Sequence, residues 1–574
     1  MRGEVKAGLL VLSLVLLYWP GIRYHWEAAH DPYFAPYDAA QYIPAFFKFD
    51  RNDPIPTSYV KEYFLNAICP PLYRWFTAMG AELVDVRYFQ LVMTYLAYGF
   101  FLAVIGRLGW VLGGASLSLA VLAVTISAWI FIGLGFIGGA PRMYAYPLMA
   151  LILYSLILDR PYVLAVTVVL GGWLYPIVGV IGGSCLAGWM LLRVFGRRGT
   201  VATWTLRKRL LMLTAVGGFT ALVVVPMILG SQPYGRRVVE ADITAYPEAG
   251  PDGNYRPYDQ LPYKLFGTEV LSYFVGPLYS HGSPIAPTFN IHKNLQPATL
   301  LVGFALAGMI IIIVILRGMR LILKGDHGEG GLRVIGFVIA CCALHIVAWL
   351  AAPYMYIPTR YFMFSLPFLI SLVFPWCVYT LLGQVRWLEP ESPFRPVAFL
   401  AIIGLFLAVF GGRGDVGFAA NTAERSTRSL YDAIAALPKD AVIAGWPVGP
   451  IRKMEYVTRR NAFLTGDLHQ VLHLEFMKAM RERMDAVFDA YLSADATPLY
   501  RLREKYGVTH LIVETRDFTD PEHAPEYFAP WRSRIPARLA EIKGKEFLLN
   551  RTLHEKAAIF NRDGLILIDL ARLP

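Results

Sequence analysis

Charge and cysteine are both scarce in this chain. Only 17% of its 574 residues are Asp, Glu, Lys or Arg, and the cysteines are Cys69, Cys185, Cys341, Cys342 and Cys377. Four of these sit inside apolar runs and none lies beyond Cys377, which argues against a disulfide framework and a thiolate metal site. Also missing are a glycine-rich phosphate loop after a strand ("GWPVGP" is too broken by proline), a Gly-x-Ser-x-Gly elbow and a His-Glu-x-x-His zinc motif. No internal repeat or low-complexity segment stands out. What is abundant is apolar: 56% of residues, gathered into long blocks rather than amphipathic patterns, as in a polytopic membrane protein. The net charge of +11 comes mostly from short segments between those blocks, so membrane topology explains it better than a nucleic-acid partner does.

A helix needs about 20 residues to cross a bilayer. On that measure spans are expected near 7–22, 88–106, 110–134, 143–158, 162–175, 177–194, 210–229, 298–316, 333–352, 361–383 and 396–412, about 11 in all. The first, "AGLLVLSLVLLYWPGI", has no small-x-small cleavage site before "RYHW" and reads as a retained span. The fifth and sixth are short, divided by Pro176, and could be a broken or re-entrant pair. With the N-terminus inside, the dense basic clusters, such as "RVFGRRGTVATWTLRKR", all fall on the cytoplasmic side. The external side then receives loops 23–87 and 230–297 and everything after about 413. The expected architecture is an α-helical membrane domain over 1–412 and a soluble α/β domain over 413–574. In that tail "STRSLYDAIAALPKDAVIAGWP" and "TPLYRLREKYGVTHLIVE" each read as helix then strand, and "KAAIFNRDGLILIDL" reads as a hairpin turning at Arg562 to Gly564.

The first external loop opens with "HDPYFAPYDAAQY". Pro32 and Pro36 keep residues 31 to 37 extended or turned. Asp38 with Gln41 three residues on forms a variant capping box for a helix "AAQYIPAFFKF", whose aromatics suit the outer membrane interface. Asp38 therefore has a plain role as an N-cap, and Asp31 a plain role in a proline turn. A carboxylate at that depth also sits where a lipid-linked substrate presents its headgroup and could serve as general base.

The run "YDAAQYIPAFFKFDRNDPIPTSYVKEYFLNAICPPLYRWF" resembles the first external loop of bacterial members of the GT-C glycosyltransferase superfamily. Weaker similarity lies in "APRMYAYPLMALILYSL", "WLYPIVGV", "YIPTRYFMFSLP", "VTRRNAFLTGDLHQ" and "KYGVTHLIVE". The resemblance implies a GT-C-like fold and transfer of a sugar from a polyprenyl-phosphate donor to a glycan, lipid or protein acceptor on the outer face of a bacterial inner membrane. Asp38 is then the candidate catalytic base and Asp31 a lesser candidate. Where many relatives carry a second acid, this chain has Tyr37.

Such a reaction needs cations for the lipid phosphate, and a guanidinium can bond one bidentately. Arg142 in "GGAPRMYAYP" and Arg360 in "YIPTRYF" fall at outer span ends, against the positive-inside bias. Snorkelling to headgroups would also account for them. Gln41, Arg237 and His281 complete the candidate substrate- and phosphate-binding set, with Arg236 beside Arg237. Mid-span His345 is expected to bond a neighbouring helix. His469, His473 and Glu475 in "GDLHQVLHLE" fit the start of an amphipathic helix better than a metal set. No cofactor is assigned; a divalent metal is compatible with the reaction but has no residue support. Two other readings stay open: a non-catalytic GT-C-like protein for envelope polysaccharide, and a transporter of lipid-linked sugars, which the scarcity of ionisable residues in the spans disfavours.

Overall fold

The computed structural model describes residues 30–36, 39–50, 53–54, 58–127, 136, 138–192, 199–250, 252–254, 297–351, 355, 358–385, 388, 392, 394–410, 420–422, 425–520, 523 and 525–573. The expected span at 7–22, Asp38 and His281 lie outside these residues. Among the described residues, Val86–Ile126, Leu206–Pro226 and Gly328–Leu350 are apolar helical stretches long enough to cross a membrane. Shorter apolar helices cover Pro161–Leu174, Pro176–Leu191, Leu369–Leu382 and Phe394–Leu407.

Glycine decides how two of these stretches pack. Gly113 and Gly114 leave helical geometry, Gly114 with φ 71°, and beyond them Ser118 Oγ donates to Gly106 O at 2.8 Å. Residues 106 and 118 would be about 18 Å apart along one straight helix, so Val86–Ser127 is two helices folded back on each other. The turn falls a few residues past Arg107, where the break between spans was expected, because Gly114 can adopt the left-handed conformation. The Pro176 region folds back as well. Pro161–Leu174 and Pro176–Leu191 meet at Tyr175, and a Cβ on Gly179 would lie 2.5 Å from Gly172 N. Backbone contact this close is open only to glycine, and it brings the hairpin tip with Tyr175 to a defined place.

The tail builds a five-stranded sheet in which Val442–Gly445 runs parallel to both Asn461–Ala462 and His510–Glu514. Leu565–Asp569 pairs antiparallel with His510–Glu514 and then with Ala558–Arg562. The closing hairpin turns through Asp563 (φ 52°) and Gly564 (φ 76°), the positive-φ pair that a two-residue hairpin turn requires. Pleating splits the strands between two cores. Leu511, Val513, Ile566 and Ile568 face the helix Leu474–Tyr491 through Phe476, Met480 and Met484. Ile443, Ile512, Leu565 and Leu567 face the helices Arg425–Ala435 and Ile451–Thr458.

The first loop is wedged against this tail rather than floating in an interface. Lys61 Nζ meets Glu455 Oε1 at 2.6 Å with both side chains 7% exposed, and donates to Asn461 Oδ1 at 2.6 Å. Tyr63 stacks on Phe476 at 3.5 Å between ring centroids, and Val60, Tyr63 and Phe64 share one core with Tyr234, Phe476 and Met480. Phe34–Pro36 pairs antiparallel with Ala420–Thr422, and Arg459 pairs with Asp85. The expected interfacial helix is correspondingly short. It runs Ala39–Tyr42, then tightens at Pro44 into a 3₁₀ turn over Ile43–Phe46. Ile43, Phe46 and Phe47 are buried against Tyr73, Val86 and Tyr456, because protein surface was at hand to take up aromatics that the local pattern alone would assign to lipid.

Gly179→Ala is expected to destabilise the detergent-solubilised protein by about 1–3 kcal/mol through overpacking. Gly217→Ala, where an added Cβ meets nothing within 4 Å, should be neutral or slightly stabilising; thermal unfolding of both variants checks this. Glu455→Gln strands a buried ammonium and should cost about 3–5 kcal/mol. The double variant Lys61→Met with Glu455→Gln should recover much of that loss in the same assay.

Candidate functional site

A cavity of about 350 Å³ lies where the first loop, the second loop, the tail and the apolar helices Pro176–Leu191 and Leu206–Gly230 meet. Each wall is contributed by a different element. Tyr42 comes from the short helix of the first loop and Pro70 from the turn that ends its second helical segment. Arg142 lies on the 3₁₀ turn Pro141–Tyr144 that starts the helix Ala145–Ile157. Tyr175 occupies the tip of the glycine-packed hairpin, and Arg360 opens the short helix Arg360–Met363. Arg237 comes from the second loop and His473 from the tail, at the N-cap of Leu474–Tyr491. Val224 and Ile228 complete one side. They belong to the helix Leu206–Gly230, whose apolar side chains are largely exposed, with Leu211 at 68% and Leu222 at 66%.

Hydrogen bonds hold the polar groups in place. Arg360 Nη1 donates to Tyr175 Oη at 2.7 Å, and the turn bearing Arg360 is fixed from behind by His345. That ring is buried, donates from Nδ1 to Pro358 O at 3.0 Å and stacks on Phe362 at 4.1 Å, so its hydrogen bond goes to the turn after its own helix rather than to a neighbouring helix as expected. Arg237 forms an isolated antiparallel bridge with His473, flanked by Val238 N to Leu472 O at 3.1 Å and Leu474 N to Arg236 O at 2.9 Å. His473 Nδ1 lies 3.0 Å from Tyr63 Oη. Burial, assisted by the charge of Arg237, lowers the His473 pKa to about 4, so its imidazole is neutral at physiological pH.

Arg142, Arg237 and Arg360 share the cavity, and among the described residues that line it no carboxylate faces them. Guanidinium groups gathered at the edge of an apolar surface suit an anionic group attached to an apolar chain.

Of the expected site residues, three converge here and two are placed elsewhere. Gln41 precedes Tyr42 and is half-buried, but is not part of the cavity wall. Asp31 lies in a separate cavity with His30 and Arg87. It pairs with Arg428 and accepts from Tyr33 N at 2.9 Å, so it acts as a turn residue and as a tie to the tail. Arg236 turns to Asp242, bonding it at 2.6 Å and 2.7 Å. Asp38 lies outside the described residues. Tyr175 is a functional candidate that local reasoning passed over, and His473, read from the sequence as the start of an amphipathic helix, stands at that N-cap and also lines the cavity. Tyr175 stands in "WLYPIVGV", one of the resembling stretches, whereas nothing in the sequence near His473 announces its pairing with Arg237.

The chain is similar to several solved structures. It covers 90% of its own length and 70% of the oligosaccharyltransferase of Archaeoglobus fulgidus in the apo form, at 11% identity and a TM-score of 0.48. Against the archaeal oligosaccharyltransferase AglB from the same organism, in complex with an inhibitory peptide and a dolichol-phosphate, the figures are 97%, 74%, 10% and 0.48. Against ArnT from Cupriavidus metallidurans bound to undecaprenyl phosphate they are 97%, 98%, 13% and 0.42. No family model matches the chain, and no curated protein matches it in sequence.

An unfolded chain takes up a histidine proton near pH 6.5, whereas folded His473 does so only near 4. Its contribution to stability is therefore complete above about pH 6.5 and is lost as the pH falls toward 4. Melting temperatures measured from pH 7.5 down to 5 should decline, and His473→Gln should make that decline shallower. An unchanged slope would remove His473 from the acid response.

Proposed function

We propose that this protein is a membrane glycosyltransferase that moves a sugar from a polyprenyl-phosphate-linked donor to a glycan, lipid or protein acceptor. The observation that carries the reading is the convergence of Arg142, Arg237 and Arg360 on one cavity bordered by the apolar helix Leu206–Gly230. The resemblance of the first loop to GT-C enzymes supports the same reading from the sequence side.

In this mechanism the polyprenyl chain lies along Val224 and Ile228, and the phosphate enters between the guanidinium groups. Asp38 takes the proton of the acceptor hydroxyl as its oxygen attacks the anomeric carbon. A carbon–oxygen bond forms to the acceptor while the bond from the anomeric carbon to the phosphate oxygen breaks, so configuration inverts. The departing electron pair stays on the lipid phosphate, whose growing negative charge is met by Arg142 and Arg360 in a site already arranged for it. Tyr175 keeps Arg360 aimed, and neutral His473 supplies a hydrogen-bonding group without adding to the positive charge. The cavity faces the external side of a bacterial inner membrane, with the N-terminus cytoplasmic, the chain crossing about 11 times and residues 413–574 forming a domain that covers the site.

Sugar transfer to endogenous acceptors in membranes carrying each variant tests the proposal. Arg360→Ala and Arg142→Ala are each expected to lower turnover by about 10²–10³-fold, the scale of removing one charge-stabilising donor. Asp38→Asn should lower it by about 10²–10⁴-fold, the scale of a general base. Wild-type transfer by both arginine variants would overturn the phosphate assignment, and wild-type transfer by Asp38→Asn would remove Asp38 as base.

A further inference from the structure

The tail contains a second cavity, of about 520 Å³, that shares no lining residue with the first. Its position follows from sheet topology. Val442–Gly445 is followed in the chain by the neighbour on one side, Asn461–Ala462, and only later by the neighbour on the other, His510–Glu514. The strand order thus reverses between Val442–Gly445 and His510–Glu514, and open parallel sheets take their ligands outside the carboxyl ends of the strands at such a point. The cavity lies there: Gly449 and Pro450 follow the first strand, Glu514 ends the second, and the Asp563–Gly564 turn closes the side. Its volume is within the range of about 300–1,000 Å³ usual for small-ligand sites.

The chemistry at this place is a carboxylate and guanidinium held together, ringed by hydroxyls, by Arg452 and Lys453, and by the carboxylate of Asp563 in the closing turn. Glu514 is 6% exposed, and its Oε2 accepts from Arg516 Nε at 3.0 Å and pairs with Nη2 at 2.8 Å. A Cβ at Gly449 would stand 2.1 Å from Glu514 Oε1, so a glycine at 449 is what leaves room for that oxygen. Ser426, Thr427 and Lys453 also line the cavity, and the Arg516 side chain is 60% exposed at its mouth. A fixed carboxylate accepts from vicinal hydroxyls, while an exposed guanidinium and an ammonium meet an anion.

We infer that this cavity binds a saccharide unit carrying an anionic substituent, with Glu514, Ser426 and Thr427 on its hydroxyls and Arg516 with Lys453 on its carboxylate or phosphate. The choice of a saccharide rests on the transferase reading, in which the cavity holds an acceptor glycan away from the reacting centre. The existence of a polar binding site at the strand ends does not depend on it.

Calorimetric titration of the full chain in detergent with digalacturonate, lactose and inorganic phosphate tests the inference. Digalacturonate should bind saturably and at least tenfold more tightly than lactose. Glu514→Gln and Arg516→Ala should each weaken it at least tenfold, whereas Arg360→Ala should leave it unchanged. Arg516 is exposed enough for its variant to fold, so it decides the matter if Glu514→Gln does not. Absence of saturable digalacturonate binding, binding indifferent to Arg516→Ala, or binding of phosphate alone would overturn the inference. Loss of digalacturonate binding in Arg360→Ala with retention in Arg516→Ala would move the saccharide to the membrane cavity and also overturn it. Intact binding in a protein that transfers no sugar would overturn the transferase reading while leaving this site standing.

Discussion

The buried pair between Lys61 and Glu455 is the contact on which the docking of the first loop on the tail depends. Neither charge could be taken out of water alone, since each would carry an uncompensated desolvation cost of several kcal/mol. Together, with Asn461 Oδ1 accepting from the same ammonium, they lock the helix Tyr59–Tyr63 of the first loop against the tail. That lock sets Tyr63 face to face with Phe476 and brings its hydroxyl to His473. His473 in turn is bridged to Arg237. One ion pair thus connects loop, tail and second loop around a common cavity, and specificity of docking rather than net stability is what such a pair can provide.

On the membrane side the constraint is packing. Glycines at 171, 172 and 179 let two short helices touch along their backbones, which sets Tyr175 at the hairpin tip within 2.7 Å of Arg360. Three guanidinium groups line that one cavity. Any phosphate that binds the folded state alone also stabilises it by mass action. Val224 and Ile228 give the same cavity an apolar wall. In the tail cavity Arg452 is bound to Asp467 and Arg516 to Glu514, so it presents donors and acceptors together.

Much of the arrangement was open to a reader of the sequence alone. Arg142 and Arg360 could be singled out because they oppose the charge bias of membrane loops, and the hairpin at Arg562 to Gly564 because Asp-Gly between alternating apolar residues has few other uses. The helix-then-strand order of the tail followed from periodicity, and Pro176 marked the short helical pair. Asp31 was equally visible, yet its tie to Arg428 spans about 400 residues of chain and no local pattern encodes it. The aromatic helix after Asp38 was assigned to lipid because an apolar face does not say what covers it.

What the sequence by itself determined is therefore the apolar character of the membrane part, the alternation of helix and strand in the tail, and the places where chemistry-bearing residues stand out from their surroundings. These are properties of neighbours along the chain, set by hydrophobic period, turn residues and charge. The tertiary structure alone decided that Arg142, Arg237, Arg360, Tyr175 and His473 meet, that Asp31 does not join them, and that a second polar cavity opens at the strand ends. Each of those outcomes depends on backbone contact between glycines, on a buried ion pair, or on the order in which strands lie side by side. The ion pair and the strand order relate segments remote in the chain, while the glycine contact joins two helices only a turn apart; in each case the energy that selects the arrangement exists only once the segments touch.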